Sequence, residues 1–270
     1  HSGMDIHRGF GNANKIMNRL LFAAAEKGSI HLCEIDGGGL RNAIPRESVA
    51  QFAISGSEEK VITGIQEMIG NIKQELRITE PKLNISLSEQ DLTAKCMDKD
   101  SQGKLLRAVQ GLHNGVFAMS TSIDNLVETS NNVARVEVGN GNIKISCLTR
   151  SSVESGKMNL AMSLSSILEL AGYEVNLSGD YPGWTPDPDS EILKVLVKQY
   201  EELFQESPHV VACHAGLECG ILGSHYPQMD MISFGPNIKG AHSPDERVQI
   251  SSVQKFWKFL KTILSEIPKA

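Results

Sequence analysis

No run of this sequence approaches the roughly 18 uninterrupted apolar residues of a membrane-crossing helix. The opening residues also lack the basic, apolar and small-residue segments of a secretory signal. There is no Lys/Arg run, and the formal net charge is −6, so a nucleic-acid groove or an anionic-membrane surface would have to be assembled from scattered cations. The expectation is neither a nucleic-acid nor a membrane partner. Cysteine is scarce: the five residues Cys33, Cys96, Cys147, Cys213 and Cys219 are odd in number and include no CxxC pair. That disfavours a disulfide framework and a thiolate zinc site, and fits a reducing, cytoplasmic setting. An initiating methionine is missing too. His1-Ser2-Gly3-Met4-Asp5 reads like the middle of a protein, and a partial chain is expected.

What is present is a globular composition, 40% hydrophobic and 21% charged over 270 residues, long enough for two domains. Asn14 to Lys27 carries apolar residues at helical spacing and stops at Gly28. Ile30 to Ile35 and Val49 to Ile54 are β-prone runs that can pair antiparallel around Gly37-Gly38-Gly39. A helix begins at Ser57, and a strand at 82–87 completes the unit. The same order then recurs: a helix over 103–112, strands over 132–138 and 142–148, a helix over 153–171, and a strand over 173–177. This order predicts a duplicated ferredoxin-like domain, with helices on one face of an antiparallel sheet.

Prolines and glycines between Gly179 and Pro188 interrupt every period and mark a linker. Beyond it, helix (190–204), strand (210–213), short helix (216–222), strand (231–234) and helix (252–267) alternate as in α/β packing, with a parallel pair. Two strands cannot make a complete doubly wound sheet, so part of that sheet is expected to lie outside this chain.

Four segments carry residue types suited to chemistry. Gly240 to Glu246 places His242 after a strand and before a helix, where a neutral imidazole can ligate zinc; a helix-capping turn is the simpler alternative. His214 and Glu218 stand four apart at a strand-to-helix turn and can share a cation, while Gly216 and Gly220 permit either close ligand approach or tight helix packing. His1, His7 and Arg8 precede a helix and can meet an oxyanion, or they form a surface loop. Arg150 follows a β-prone run, where its fork can clasp a carboxylate, and Asn42 can donate to a carbonyl; ordinary turn chemistry and a solvated cation are the alternatives.

The segments HSGMDIHRGFGNANK, GGGLRNAIPRE, HAGLECGIL and ISFGPNIKGAHSPDE stand in the order seen in dizinc exopeptidases with a lid domain. Over essentially the whole chain they resemble the bacterial aminoacyl-histidine dipeptidases, also called Xaa-His dipeptidases or peptidase D. The resemblance implies a duplicated ferredoxin-like lid over 1–180, serving substrate binding and dimerisation, and the C-terminal part of an α/β zinc-peptidase catalytic domain over 181–270. It further implies His242 as the last zinc ligand, Arg150 as the clamp on the dipeptide's C-terminal carboxylate, and His1 as the group that stabilises the oxyanion. Asn42 and the backbone at Gly216 are the implied substrate contacts. The implied reaction is hydrolysis of dipeptides, β-alanyl-histidine included, by water activated at two zinc ions, for which cobalt or manganese can substitute. A homodimer through the lid is implied as well. The family's other metal ligands and its general-base glutamate have no counterpart in these residues, so the chain alone is expected to bind zinc poorly and to be inactive. The competing expectation is a non-catalytic dimerisation or ligand-binding module.

Overall fold

The computed structural model describes residues 1–91, 95–121, 123–185, 187, 189–212, 218–240 and 246–266. They fall into two compact units that part between Gly183 and Trp184.

In the first unit, α1 (Ala13–Lys27) starts where the side chain of Asn12 accepts hydrogen bonds from the backbone N–H groups of Asn14 and Lys15. Such a cap satisfies donors the first helical turn leaves over. β1 (Ser29–Gly38) and β2 (Ser48–Ser55) pair antiparallel, and α2 (Glu58–Glu75) follows. The order then repeats with α3 (Lys99–Gly111), β4 (Val127–Gly139), β5 (Asn142–Ser151) and α4 (Glu154–Leu170), and an additional strand, β3 (Gly115–Met119), lies between α3 and β4. Asn140 and Gly141 both have positive φ, 51° and 77°, which gives the two-residue turn that matches strand twist in the β4–β5 hairpin.

The inner strands of the two repeats pair with each other, Ile35–Gly38 of β1 running antiparallel to Arg135–Val138 of β4. Equivalent strands pairing this way relate the repeats by a local pseudo-twofold, and the unit is a duplicated ferredoxin-like α+β domain. The residues of β4 nearer its start pair instead with β3, and nearly all of its length pairs with β5. The core lies between this sheet and the helices, where Leu32, Ile35, Val133 and Val136 meet Leu21, Val61, Ile72, Leu105 and Leu160. Each such side chain is worth about 1.5–3 kcal/mol when fully buried.

Three differences from expectation have physical causes. The runs 82–87 and 173–177 form no ladder: Leu83 and Ile85 pack against the core, and β propensity measures fit to such a half-buried surface rather than pairing itself. β3 is only five residues long, Gly-Val-Phe-Ala-Met, too short to show a period. Cys33 and Cys96 are joined as a disulfide despite a separation of 63 residues, because a bulge in β1 turns Cys33 toward the segment before α3.

The second unit carries α5 (Glu191–Phe204), α6 (Glu218–His225), α7 (Ile250–Ser265) and a two-residue antiparallel ladder, β6 (Ile238–Lys239) with β7 (Arg247–Val248). Tyr200 and Phe204 on α5 meet Phe259 on α7, and Phe234 packs against Phe256 and Phe259. Ser190 and Asp230 together cap α5: the Ser190 hydroxyl accepts from Leu193 N, and Asp230 accepts from Ile192 N and the Ser190 hydroxyl. The described residues of the runs 210–213 and 231–234 form no ladder, so the expected parallel pair is not found among the described residues.

Candidate functional site

His1 and Asn42 are 41 positions apart, yet the backbone N–H of Ser2 donates to the Asn42 carbonyl at 2.8 Å. Ser2 is buried there. The Nδ1 of His1 accepts from Gly3 N at 3.1 Å. A backbone N–H can only donate, so Nδ1 is the acceptor, and in the neutral ring the proton sits on Nε2. His7 and Arg8 are both exposed in the short 3-10 helix over 6–8, where Arg8 pairs with Asp5 and stacks on Phe10.

The loop that bears Asn42 is fixed by its glycines and by asparagines from the sheet. Gly38 has φ +77°, and a Cβ there would stand 1.9 Å from the Ala134 carbonyl oxygen; at Gly37 a Cβ would be 2.0 Å from Asn14 Oδ1. At Gly38 only glycine fits, because there the two repeats approach backbone to backbone. Asn132, in β4, donates from Nδ2 to the carbonyls of Arg41 at 3.1 Å and Ala43 at 2.7 Å. Its Oδ1 accepts from Asn12 Nδ2, which also donates to Asn114 Oδ1 and the Val133 carbonyl. A buried amide network of this kind ties the start of α1, the 39–46 loop and β4 into one piece.

Arg150 lies in β5 opposite Ser130 of β4. Side chains two residues apart share a sheet face, so Arg150 is the diagonal neighbour of Asn132. Arg150 and Arg41 both line a half-open cleft of about 880 Å³ between β5, α4 and the segment 174–183. That volume lies within the ~300–1,000 Å³ range of small-molecule sites. The rim is latched by Lys157, whose Nζ reaches Asp180 and the Tyr181 carbonyl from the first turn of α4. Burial opposes the charge of Lys157, but hydrogen bonds to Asp180 and Glu154 outweigh it and raise its pKa. The Lys157 hydrogen bond in turn holds the Asp180 carboxyl below the usual range. Cys147, on the same strand, has its thiol pushed up to about 11 by burial.

The structure thus brings together the His1 segment, Asn42 and the strand that carries Arg150. His242, Gly216 and His214 lie outside the described residues; Glu218 is the exposed first residue of α6. Among the described residues no group of three or more His, Cys, Asp or Glu side chains gathers as a metal site. Sequence reasoning missed Asn12 and Asn132. Thr129-Ser130-Asn131-Asn132, four consecutive buried polar residues inside a strand, was the available signal.

The chain belongs to peptidase family M20/M25/M40, whose family model matches residues 26–266. It is 40% identical over 269 residues to the cytosol non-specific dipeptidase of Escherichia coli (strain K12), a match that covers 99% of this chain and 56% of that protein. The crystal structure of the aminoacylhistidine dipeptidase from Vibrio alginolyticus superposes with a TM-score of 0.88 at 39% identity, covering 100% of this chain and 55% of that one. The chain spans just over half the length of each of these relatives.

Proposed function

We propose that this chain is the substrate-gripping part of a cytoplasmic dipeptidase that hydrolyses dipeptides, including Xaa-His types such as β-alanyl-histidine. In this reading residues 1–180 are the lid and 181–270 the end of the catalytic domain. Arg150 binds the free carboxylate of the dipeptide, its planar fork making two parallel charge-assisted hydrogen bonds that an amide-blocked substrate cannot match. His1 donates to the oxyanion that develops on the scissile carbonyl, and Asn42 and the Gly216 backbone hold the peptide beside it. The reading is supported by the bond from the His1 segment to the Asn42 carbonyl, and by Asn132, which holds the Asn42 loop from the strand paired with that of Arg150.

Zinc, two ions in a complete site with His242 as this chain's ligand, would acidify a water and so provide the nucleophile. Cobalt or manganese suits a His and carboxylate set as well. This reading gives the chain one ligand, His242, and no turnover by itself. A homodimer formed through the lid completes the proposal.

The test is hydrolysis by the longer protein of which this reading makes the chain a part. Arg150→Lys is expected to lower kcat/KM for β-alanyl-histidine by about 10–100-fold, and to change the rate on its C-terminal amide far less. An equal loss on both substrates would remove the carboxylate role of Arg150. Failure of the unaltered protein to cleave any dipeptide, with zinc supplied, would remove the dipeptidase reading itself.

A further inference from the structure

β1 slips out of register with β2 between Leu32 and Glu34, and Cys33 is the residue the bulge leaves over. A bulge breaks the inward–outward alternation of a strand; here Leu32 and Cys33 are both buried, and Glu34 is exposed. The backbone of Leu32 is then engaged by the second repeat. Its N–H donates to Oε1 of the buried Gln102 at 2.7 Å, and its carbonyl accepts from Met97 N at 2.8 Å. These two bonds bring Cys96, the neighbour of Met97, against Cys33 without help from the sulfurs.

We propose that Cys33 and Cys96 form a reversible thiol–disulfide site, oxidised by a low-molecular-weight disulfide, that staples the inner strand of the first repeat to the beginning of the second. Cys96 is the entry point: it is half-buried and so the more accessible of the two thiols. Its thiolate displaces one thiolate from the small disulfide and forms a mixed disulfide. Cys33, which is 3% exposed, gives up its proton and attacks the Cys96 sulfur, and the second small thiolate leaves. Two protein thiols are oxidised, one small disulfide is reduced to two thiols, and no other electron acceptor is needed. The Leu32 hydrogen bonds do not involve the sulfurs, so they hold the two segments together in the dithiol as well, which is what a reversible site in a reducing compartment requires. The cross-link encloses β2 and α2, and constrains that stretch most in the unfolded chain.

The protein is equilibrated with oxidised glutathione, unfolded and labelled with N-ethylmaleimide. Three of its five cysteines are expected to label, with a proteolytic fragment joining Cys33 to Cys96, and all five after dithiothreitol. Reduction should lower the thermal midpoint by about 5–15 °C. Cys96→Ser and Cys96→Ala should melt alike with and without reductant, at or near the midpoint of the reduced protein. Five labelled cysteines after oxidised glutathione, a glutathione adduct on Cys96 that never resolves to the cross-link, or equal midpoints in the two redox states would each overturn the proposal.

Discussion

Asn132 holds Asn42 from both sides. Its single amide group donates to the carbonyl before Asn42 and to the carbonyl after it, and the Asn42 carbonyl itself receives Ser2 N. A strand residue of the second repeat therefore sets the position of a loop of the first. Asn132→Asp keeps the shape but replaces the donor with a carboxylate facing two carbonyls. It is expected to cost about 2–4 kcal/mol in urea unfolding, and to speed amide exchange at Ser2 by more than that global loss accounts for. Unchanged exchange at Ser2 would mean that the loop is held by something other than Asn132.

Gly38 is where the same loop leaves β1. A methyl group there meets the Ala134 carbonyl and forces a left-handed backbone on an L-residue. Gly38→Ala should destabilise the first unit by about 3–5 kcal/mol. Gly39→Ala, with nothing within 4 Å of its Cβ position, should cost less than about 1 kcal/mol. Equal urea midpoints for the two variants would contradict the close approach of β1 and β4.

The Lys157–Asp180 pair has a defined pH window. The Asp180 carboxyl is held below its usual value, so its contribution is complete above the unfolded-state value near 3.9 and is lost as pH falls through the lower folded value. Lys157 is raised, so its contribution is complete below about 10.4 and is lost only as pH rises through the higher folded value. Asp180 is largely exposed, and solvent screening limits the effect of Asp180→Asn to about 0.5–1 kcal/mol at pH 7. Urea titrations should show this difference at pH 5–9 and its disappearance near pH 2. A difference that persisted at pH 2 would assign the effect to packing.

Much of the architecture was legible because local signals agreed with one another. Helical spacing from Ile16 to Ala25 gave α1, and the Asn140-Gly141 turn joins the two strands expected around it. The repeat was readable only as an order of elements. Its meaning in space, β1 against β4, depends on a pairing that no local pattern encodes. The strand runs 82–87 and 173–177 were legible as β-prone but not as unpaired, since a ladder requires a neighbouring edge. In the candidate site, Asn42 and Arg150 stand out by residue type. The amides that position the loop do not, because Asn12 and Asn132 acquire their roles from partners 89 to 120 residues away. The disulfide was hidden for the same reason: the count of cysteines says nothing about a bulge that aims one of them.

The ladder between β1 and β4 is four residue pairs long, too short to hold two half-sheets together unaided. Arg135 reinforces it by reaching Asp36, Glu137 and the Gly38 carbonyl. Lys15 of α1 does the same across the helical layer, donating to the last carbonyls of α3 at Val109, Gln110 and Leu112. Because each repeat borrows its terminating contacts from the other, the two are expected to unfold together as one cooperative foldon, with the slowest-exchanging amides of this unit on both sides of the seam.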